Sequence, residues 1–275
     1  MDLLAAPDWI NGAPDDLRRW RNARPEVVNP TMPGDVQVSD LPPEGDCPGG
    51  LMFTPFSATG TPVVYFHGGG FIVGSPETHR VVAAWIAHVA RASVLSVRYR
   101  LAPESSFPAQ VEDGVAAIVR QCRLNPRLRV MGDSAGGMIA LWAYAALMPI
   151  ERAAIADLVL FNPGGIVMPR PAAAGDDEAD GLGPRSLASY TRRLDPAGVI
   201  AGNPRYDPFA KGFPFHPATT VLGAGADPLL YASETLADLS GARLIIAEGQ
   251  THGFLSNLPA PSSMAWLRRS LEGAG

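Results

Sequence analysis

Arg129-Val130-Met131-Gly132-Asp133-Ser134-Ala135-Gly136-Gly137 is the stretch whose reading decides the fold. A short apolar strand runs into Gly-Asp-Ser-Ala-Gly, and a long apolar helix, Met138 to Met148, leaves on the other side. A serine held on a tight strand-to-helix turn leaves no room for side chains two positions before or after it, and Gly132 and Gly136 supply that room. Such a turn holds the Ser134 hydroxyl over the sheet edge at a helix N-terminus. The competing reading is an ordinary small-residue turn before a helix; the strand and helix around the motif favour the reactive serine.

Outward from this turn the chain alternates. Pro62 to Phe66 reads as a buried strand that runs straight into His67-Gly68-Gly69-Gly70-Phe71. A helix Thr78–Ala90 follows, with Val81, Val82, Trp85, Ile86 and Val89 at helical spacing, then a strand Ser93–Tyr99 and a turn from Arg100 to Glu104. A helix Val111–Arg123, a strand Arg127–Met131, the serine turn and its helix, and a strand Leu158–Phe161 continue the pattern. It resumes after a break with strand Thr220–Gly223, helix Leu229–Leu239, strand Arg243–Ala247 and helix Ser263–Leu271. Strands alternating with helices predict an α/β fold, a mostly parallel sheet covered on both faces. The break, residues 163–217, contains the acidic, glycine-rich run 172–181 and one candidate helix, Ser186–Leu194; insertions at the functional edge of a sheet often act as lids. Residues 1–30 also stand apart. Pro14 to Trp20 reads as a helix start with acidic residues in its first turn, and Trp9, Ile10, Leu17 and Trp20 offer one apolar face that must cover something. Val36 and Val38 belong to a further strand.

With 275 residues the chain suits one large α/β domain with an elaboration. An apolar fraction of 47% against 18% charged residues describes a globular protein rather than a disordered one. The net charge of −5 speaks against a nucleic-acid partner. The two cysteines, Cys47 and Cys122, lie in dissimilar contexts, which argues against a disulfide framework and for a reducing compartment. The first residues lack the basic start and apolar core of a signal peptide, and no apolar run reaches the ~18 residues of a membrane span. The expected location is the cytoplasm, with no membrane partner.

A serine hydroxyl needs a base to take its proton and a third group to orient that base. Five histidines are available. His79 and His88 sit in or beside a helix, His216 precedes a proline in the insertion, and His67 precedes three glycines. His252 follows the strand Leu244–Ala247 and a short loop, which puts it on the same sheet edge as Ser134, and it is the favoured base; His67 is the alternative. Asp227 follows the strand at Val221–Gly223, between Ser134 and His252, and is the favoured orienting acid. Asp227-Pro228 also suits a helix N-cap, and Glu248 is the nearby rival carboxylate. The loop His67-Gly68-Gly69-Gly70 and the amide of Ala135 are candidate donors to an oxyanion, since glycines let a substrate approach the backbone closely. Gly223-Ala224-Gly225 carries a weak nucleotide-binding signal, weakened further by Pro228 where the last glycine of that fingerprint is required. No His/Cys/carboxylate grouping has the spacing of a metal site.

His67-Gly-Gly-Gly-Phe71, Tyr99-Arg-Leu-Ala-Pro-Glu104, Phe107-Pro-Ala109, Gly132-Asp-Ser-Ala-Gly-Gly137, Asp227-Pro-Leu229 and His252-Gly-Phe254 stand in one order. Together they resemble the bacterial hormone-sensitive lipase-like carboxylesterases of the α/β-hydrolase superfamily, over roughly residue 61 to the C-terminus. The resemblance implies hydrolysis of short- to medium-chain acyl esters without a cofactor or metal, and a small-molecule ester as the binding partner. It implies Ser134 as nucleophile, Asp227 and His252 completing a triad, and the amides of Gly69, Gly70 and Ala135 as oxyanion donors. It further implies a catalytic domain of residues 31–162 and 218–275 under a helical cap of residues 1–30 and 163–217. Phe71, Trp9, Trp20, Phe213 and Phe215 then become candidate pocket residues, and family habit suggests a homodimer. Leu230-Tyr231 replaces the family's usual Arg-Asp after Asp-Pro-Leu. An arylformamidase or amidase on the same triad is the nearest alternative activity; a non-catalytic binding protein on this fold is the alternative from another class.

Overall fold

The computed structural model describes residues 6–166 and 181–272. The acidic, glycine-rich run 172–181 therefore lies, apart from Gly181, outside the described residues. Eight strands form one sheet: β1 (Val36–Leu41), β2 (Gly50–Pro55), β3 (Val63–Phe66), β4 (Val94–Val97), β5 (Leu128–Asp133), β6 (Ile155–Phe161), β7 (Thr219–Ala224) and β8 (Arg243–Ala247). Their spatial order is β1-β2-β4-β3-β5-β6-β7-β8. The β1–β2 and β2–β4 pairings are antiparallel, and every pairing from β4 onward is parallel. This is the α/β-hydrolase arrangement that the alternation and motif order predict.

The period-two rule of a strand sorts the core onto two faces. Val64, Phe66, Val130, Leu158, Leu160 and Val221 pack on one side, under α4 (Ala109–Cys122), α5 (Ala135–Ala146) and α8 (Leu230–Ser240). Val63, Tyr65, Met131, Val159, Phe161 and Leu222 pack on the other, under α3 (Arg80–Ala90) and α9 (Pro261–Leu271). With both faces covered, β3 and β7 are buried at every position, which is why they read as continuous rather than alternating apolar runs. Helix α5 is apolar all round and almost fully enclosed, as its central position demands.

Two departures from the sequence expectations have local causes. Helix α5 begins at Ala135, three residues earlier than Met138, because the turn forces Gly136 and Gly137 into helical geometry despite their poor propensity. A six-residue helix α6 (Pro149–Ala154), started by a proline at its first position, fills the connection to β6, for which the sequence reading assigns no element. The remaining helices are α1 (Pro14–Asn22), α2 (Pro25–Val28) and α7 (Pro184–Leu194).

The strand order positions the site. The chain leaves β3 for β4 on one side and then returns to β5 on the other, so the loops after β3 and β5 part at a switch point, where a crevice opens at the carboxyl edge. Phe66 and Gly132 are register partners at that edge, which brings the glycine loop beside the serine turn.

Candidate active site

Ser134 stands on the turn between β5 and α5 with φ 51° and ψ −121°, a conformation that costs a non-glycine residue about 1–3 kcal/mol. Neighbouring backbone holds it there. Its amide donates to the Phe161 carbonyl at 2.8 Å, and its carbonyl accepts from Gly137 at 2.9 Å and Gly164 at 3.2 Å. A Cβ on Gly136 would meet the Phe66 carbonyl oxygen at 2.1 Å, and one on Gly132 would meet the Gly136 carbonyl oxygen at 2.2 Å. The turn closes only because both positions lack side chains.

His252 lies in the loop after β8, with Nε2 2.9 Å from Ser134 Oγ and Nδ1 2.7 Å from Asp227 Oδ2. Asp227 sits in the loop after β7, and its side chain is almost wholly enclosed. Its other oxygen accepts the Leu229 amide at 2.8 Å, so the carboxylate serves the local turn and the imidazole at once. Helix α8 starts only at Leu230, with Leu229 as its N-cap residue, so the capping reading of Asp227 reduces to this turn contact. The two loops are laced together by the Ala226 amide on the Gln250 carbonyl, 2.8 Å, and the Gly225 amide on the Ala247 carbonyl, 2.9 Å. Glu248 is exposed on the outside of the lacing.

The other histidines have structural surroundings. His67 is buried, its Nδ1 2.9 Å from the Gly68 carbonyl and its ring stacked between Tyr99 and His79. Burial lowers its pKa to about 4, so it stays neutral. His79 is also buried, and burial holds its pKa well below the ordinary imidazole value; its Nε2 lies 3.8 Å from Asp133 Oδ2. His88 faces Asp35 across 2.8 Å, and His216 receives the Ala218 amide at 3.0 Å. The alternative base, His67, therefore lies beneath the site rather than in it.

Asp133 was not singled out by its sequence context, yet it ties the two catalytic loops together. Its Oδ1 accepts the Gly68 amide at 3.0 Å and the Tyr65 hydroxyl. Burial raises its pKa, against the lowering effect of these donors. The glycine loop folds back over this contact. Gly69 has φ 125°, and a Cβ there would strike the Val73 carbonyl oxygen at 2.1 Å. Among the described residues the amides of Gly69, Gly70 and Ala135 take no acceptor, and these are the three donors expected from the sequence.

Asn162 is a second residue that sequence reasoning missed. It follows β6 directly, with φ 43°, and its Oδ1 accepts the Ala224 amide at 2.7 Å. Its own amide donates to Leu222. The end of β6 thus holds the serine turn through Phe161 and the end of β7 through Asn162. The only signal was an Asn-Pro pair after a strand, which reads as a turn.

A cleft of about 420 Å³ opens over Ser134 and His252, lined also by Gly69, Gly70, Trp9, Trp20 and Tyr190. Of the five candidate pocket residues, Trp9 and Trp20 line this cleft. Phe71, Phe213 and Phe215 do not line the cleft. Phe71 is fully buried against Trp142 beneath Gly165, and Phe213 is buried against Phe215; large rings in irregular segments served the core instead. A larger surface depression, about 1130 Å³, runs along α4 and contains none of Ser134, Asp227 or His252; the chemistry belongs to the smaller one. Among the described residues no group of three or more His, Cys, Asp or Glu side chains could hold a metal, and no helix is long and apolar enough to cross a membrane.

A family model described as α/β hydrolase fold matches residues 63–256. The chain belongs to the α/β-hydrolase family. Within it, this α/β-hydrolase stands with the hormone-sensitive lipase-like carboxylesterases. It is 32% identical over 232 residues to esterase LipI of Mycobacterium tuberculosis, covering 77% of this chain and 70% of that one. It is 40% identical over 108 residues to an acetyl-hydrolase of Streptomyces hygroscopicus, a match spanning 37% of this chain and only 36% of the relative's length. The crystal structure of an esterase from the bacterial hormone-sensitive lipase family superposes with a TM-score of 0.81 at 26% identity, over 99% of this chain and 93% of the other.

Proposed function

We propose that this α/β-hydrolase is a serine carboxylesterase that cleaves short- to medium-chain acyl esters through an acyl-enzyme. The observation that carries this reading is the continuous hydrogen-bonded line from Asp227 through His252 to Ser134, 2.7 and 2.9 Å, in a cleft that Gly69 and Gly70 also line. His252 Nε2 takes the Ser134 Oγ proton as Oγ bonds to the ester carbonyl carbon, and the carbonyl π pair moves onto oxygen. The amides of Gly69, Gly70 and Ala135 receive that charge; one such donor is worth about 3 kcal/mol in known oxyanion holes. Collapse breaks the carbon–oxygen bond, and the alcohol leaves with the proton held by His252. Water adds by the same route, giving the carboxylic acid and restoring Ser134. Asp227 keeps the Nδ1 proton of His252 in place throughout, and its own proton inventory does not change.

The small cleft supports the short-chain preference. Ser134→Ala is expected to abolish hydrolysis of 4-nitrophenyl butyrate while leaving the thermal melt close to wild type. Wild-type-like turnover by that variant sinks the scheme. An acyl-length series checks the substrate range: activity falling beyond about eight carbons agrees with a 420 Å³ cleft, and rising activity on emulsified long chains does not.

A further inference from the structure

Tyr190, Trp9 and Trp20 form a row of rings along one wall of the cleft, and the row starts on the glycine loop itself. A Cβ built on Gly70 would lie 3.1–3.3 Å from the Tyr190 ring, so that ring covers the loop next to its amide. Trp9 meets Tyr190 at a centroid distance of 6.4 Å and an interplanar angle of 87°. Trp20 meets Trp9 at 5.4 Å and 84°. The Arg24 guanidinium lies over Trp20, 4.8 Å from the ring centroid. Two segments distant in sequence, the N-terminal one with Trp9 and Trp20 and helix α7 with Tyr190, therefore deliver orthogonal rings to one wall.

The rings are fixed rather than adaptable. Gly181 packs so closely that a Cβ there would come within 2.6 Å of both the Trp9 ring and the Tyr190 hydroxyl. Helix α7, which carries Tyr190, is tied to the N-terminal segment by Ser189 Oγ on the Ile10 carbonyl, 2.7 Å, and by Arg193 on the Gly12 carbonyl, 2.9 Å. Helix α1, which carries Trp20, is tied to the catalytic body: Arg18 donates to the Ile72 carbonyl at 2.9 Å and to Glu104 at 2.7 Å. A saturated chain laid on this wall gains burial alone. An aryl ring gains burial together with edge-to-face contacts, because orthogonal rings present both a positive edge and a negative face.

We infer that the arm of the ester that lies over Gly70 is aromatic, and that Tyr190, Trp9 and Trp20 select an aryl group on it. The inference rests on the esterase reading above and narrows it to a substrate class. Two matched pairs of esters test it. Methyl 3-phenylpropanoate against methyl 3-cyclohexylpropanoate places the ring on the acyl arm; benzyl butanoate against cyclohexylmethyl butanoate places it on the alcohol arm. The wild-type kcat/KM should favour the aryl member about fivefold in one pair, which also assigns the arm. Trp20→Leu and Trp9→Leu, which keep an apolar side chain and remove the π face, should bring that ratio close to one. A wild-type ratio near one in both pairs overturns the inference whether or not the variants fold, and so does a ratio that survives both substitutions. Turnover of 4-nitrophenyl acetate is measured alongside. If acetate is cleaved without an aryl preference, the inference alone fails; if no ester is cleaved, the esterase reading fails and takes the inference with it.

Discussion

The carboxyl edge of the sheet and the wall of the cleft above it are built on different principles. At the edge, each functional group is placed by backbone: register partners Phe66 and Gly132, the strained turn at Ser134, and the loops after β7 and β8 laced amide to carbonyl. On the wall, position depends on the side chain of residue 9 touching those of residues 20 and 190. Backbone placement is short-range and unforgiving, whereas ring-to-ring placement is long-range and open to substitution. A hydrolase of this kind can keep its chemistry while its substrate changes.

If that contrast holds, damage at the edge should be severe and chemical. Asp227→Asn keeps the oxygen that accepts the Leu229 amide but presents an amide group to His252, and kcat on 4-nitrophenyl butyrate should fall on the order of 10³–10⁴-fold with the fold intact. A loss of less than tenfold would move the orienting role elsewhere, with Glu248 the first place to look.

How much of this was legible in the sequence follows the same division. The order of strands and helices, the serine turn, Asp227, His252 and the glycine loop could be read because each rests on a local rule: a glycine where a side chain cannot fit, a motif after a strand, a chain order. Tyr190 could not. The helix at 184–194 was readable, but which of its residues faces a cleft depends on how α7 docks against residues 10 and 12. Phe213 and Phe215 show the reverse error. An aromatic pair in an irregular segment looks like pocket lining, and only tertiary packing decides that it fills core. Asp133 sat inside the most conspicuous motif of the chain and still gave no sign of its contact with Gly68, which is 65 positions away.

A second break-point lies at the seam that joins nucleophile to acid. Asn162→Ala strands the buried Ala224 amide and asks alanine to hold φ 43°, so it should cost about 3 kcal/mol in a urea titration. Asn162→Asp, which retains the acceptor, should cost much less. Equal, negligible losses for both would show that β6 and β7 are held by their ladder alone.

The mildest test concerns the polar floor under the edge. His67, with a folded pKa of about 4, stays neutral while the unfolded chain's imidazole protonates near 6.5. Its contribution is present above pH 6.5 and is lost as pH falls toward 4, about 2 kcal/mol between pH 6.5 and 5. His79 acts in the same direction, whereas Asp133, its pKa raised by burial, acts in the opposite one. Urea titrations at pH 7 and pH 5 should therefore show a wild-type loss that is smaller in His67→Asn. An identical loss in both proteins would remove His67 from the account.

The last two residues of the seam, Phe161 and Asn162, fix Ser134 through one contact and the β7 end leading to Asp227 through another. Immediately after them, at Pro163, the chain departs for the long passage that ends at β7. Gly164, just inside that passage, adds a third tie through its amide on the Ser134 carbonyl, so tension arising further along meets anchored backbone before it can reach the triad. For protein engineering this makes the seam a mechanical stop. Segments between Gly165 and β7 can be exchanged to change what enters the cleft, and the alignment of serine, histidine and aspartate need not be solved again each time.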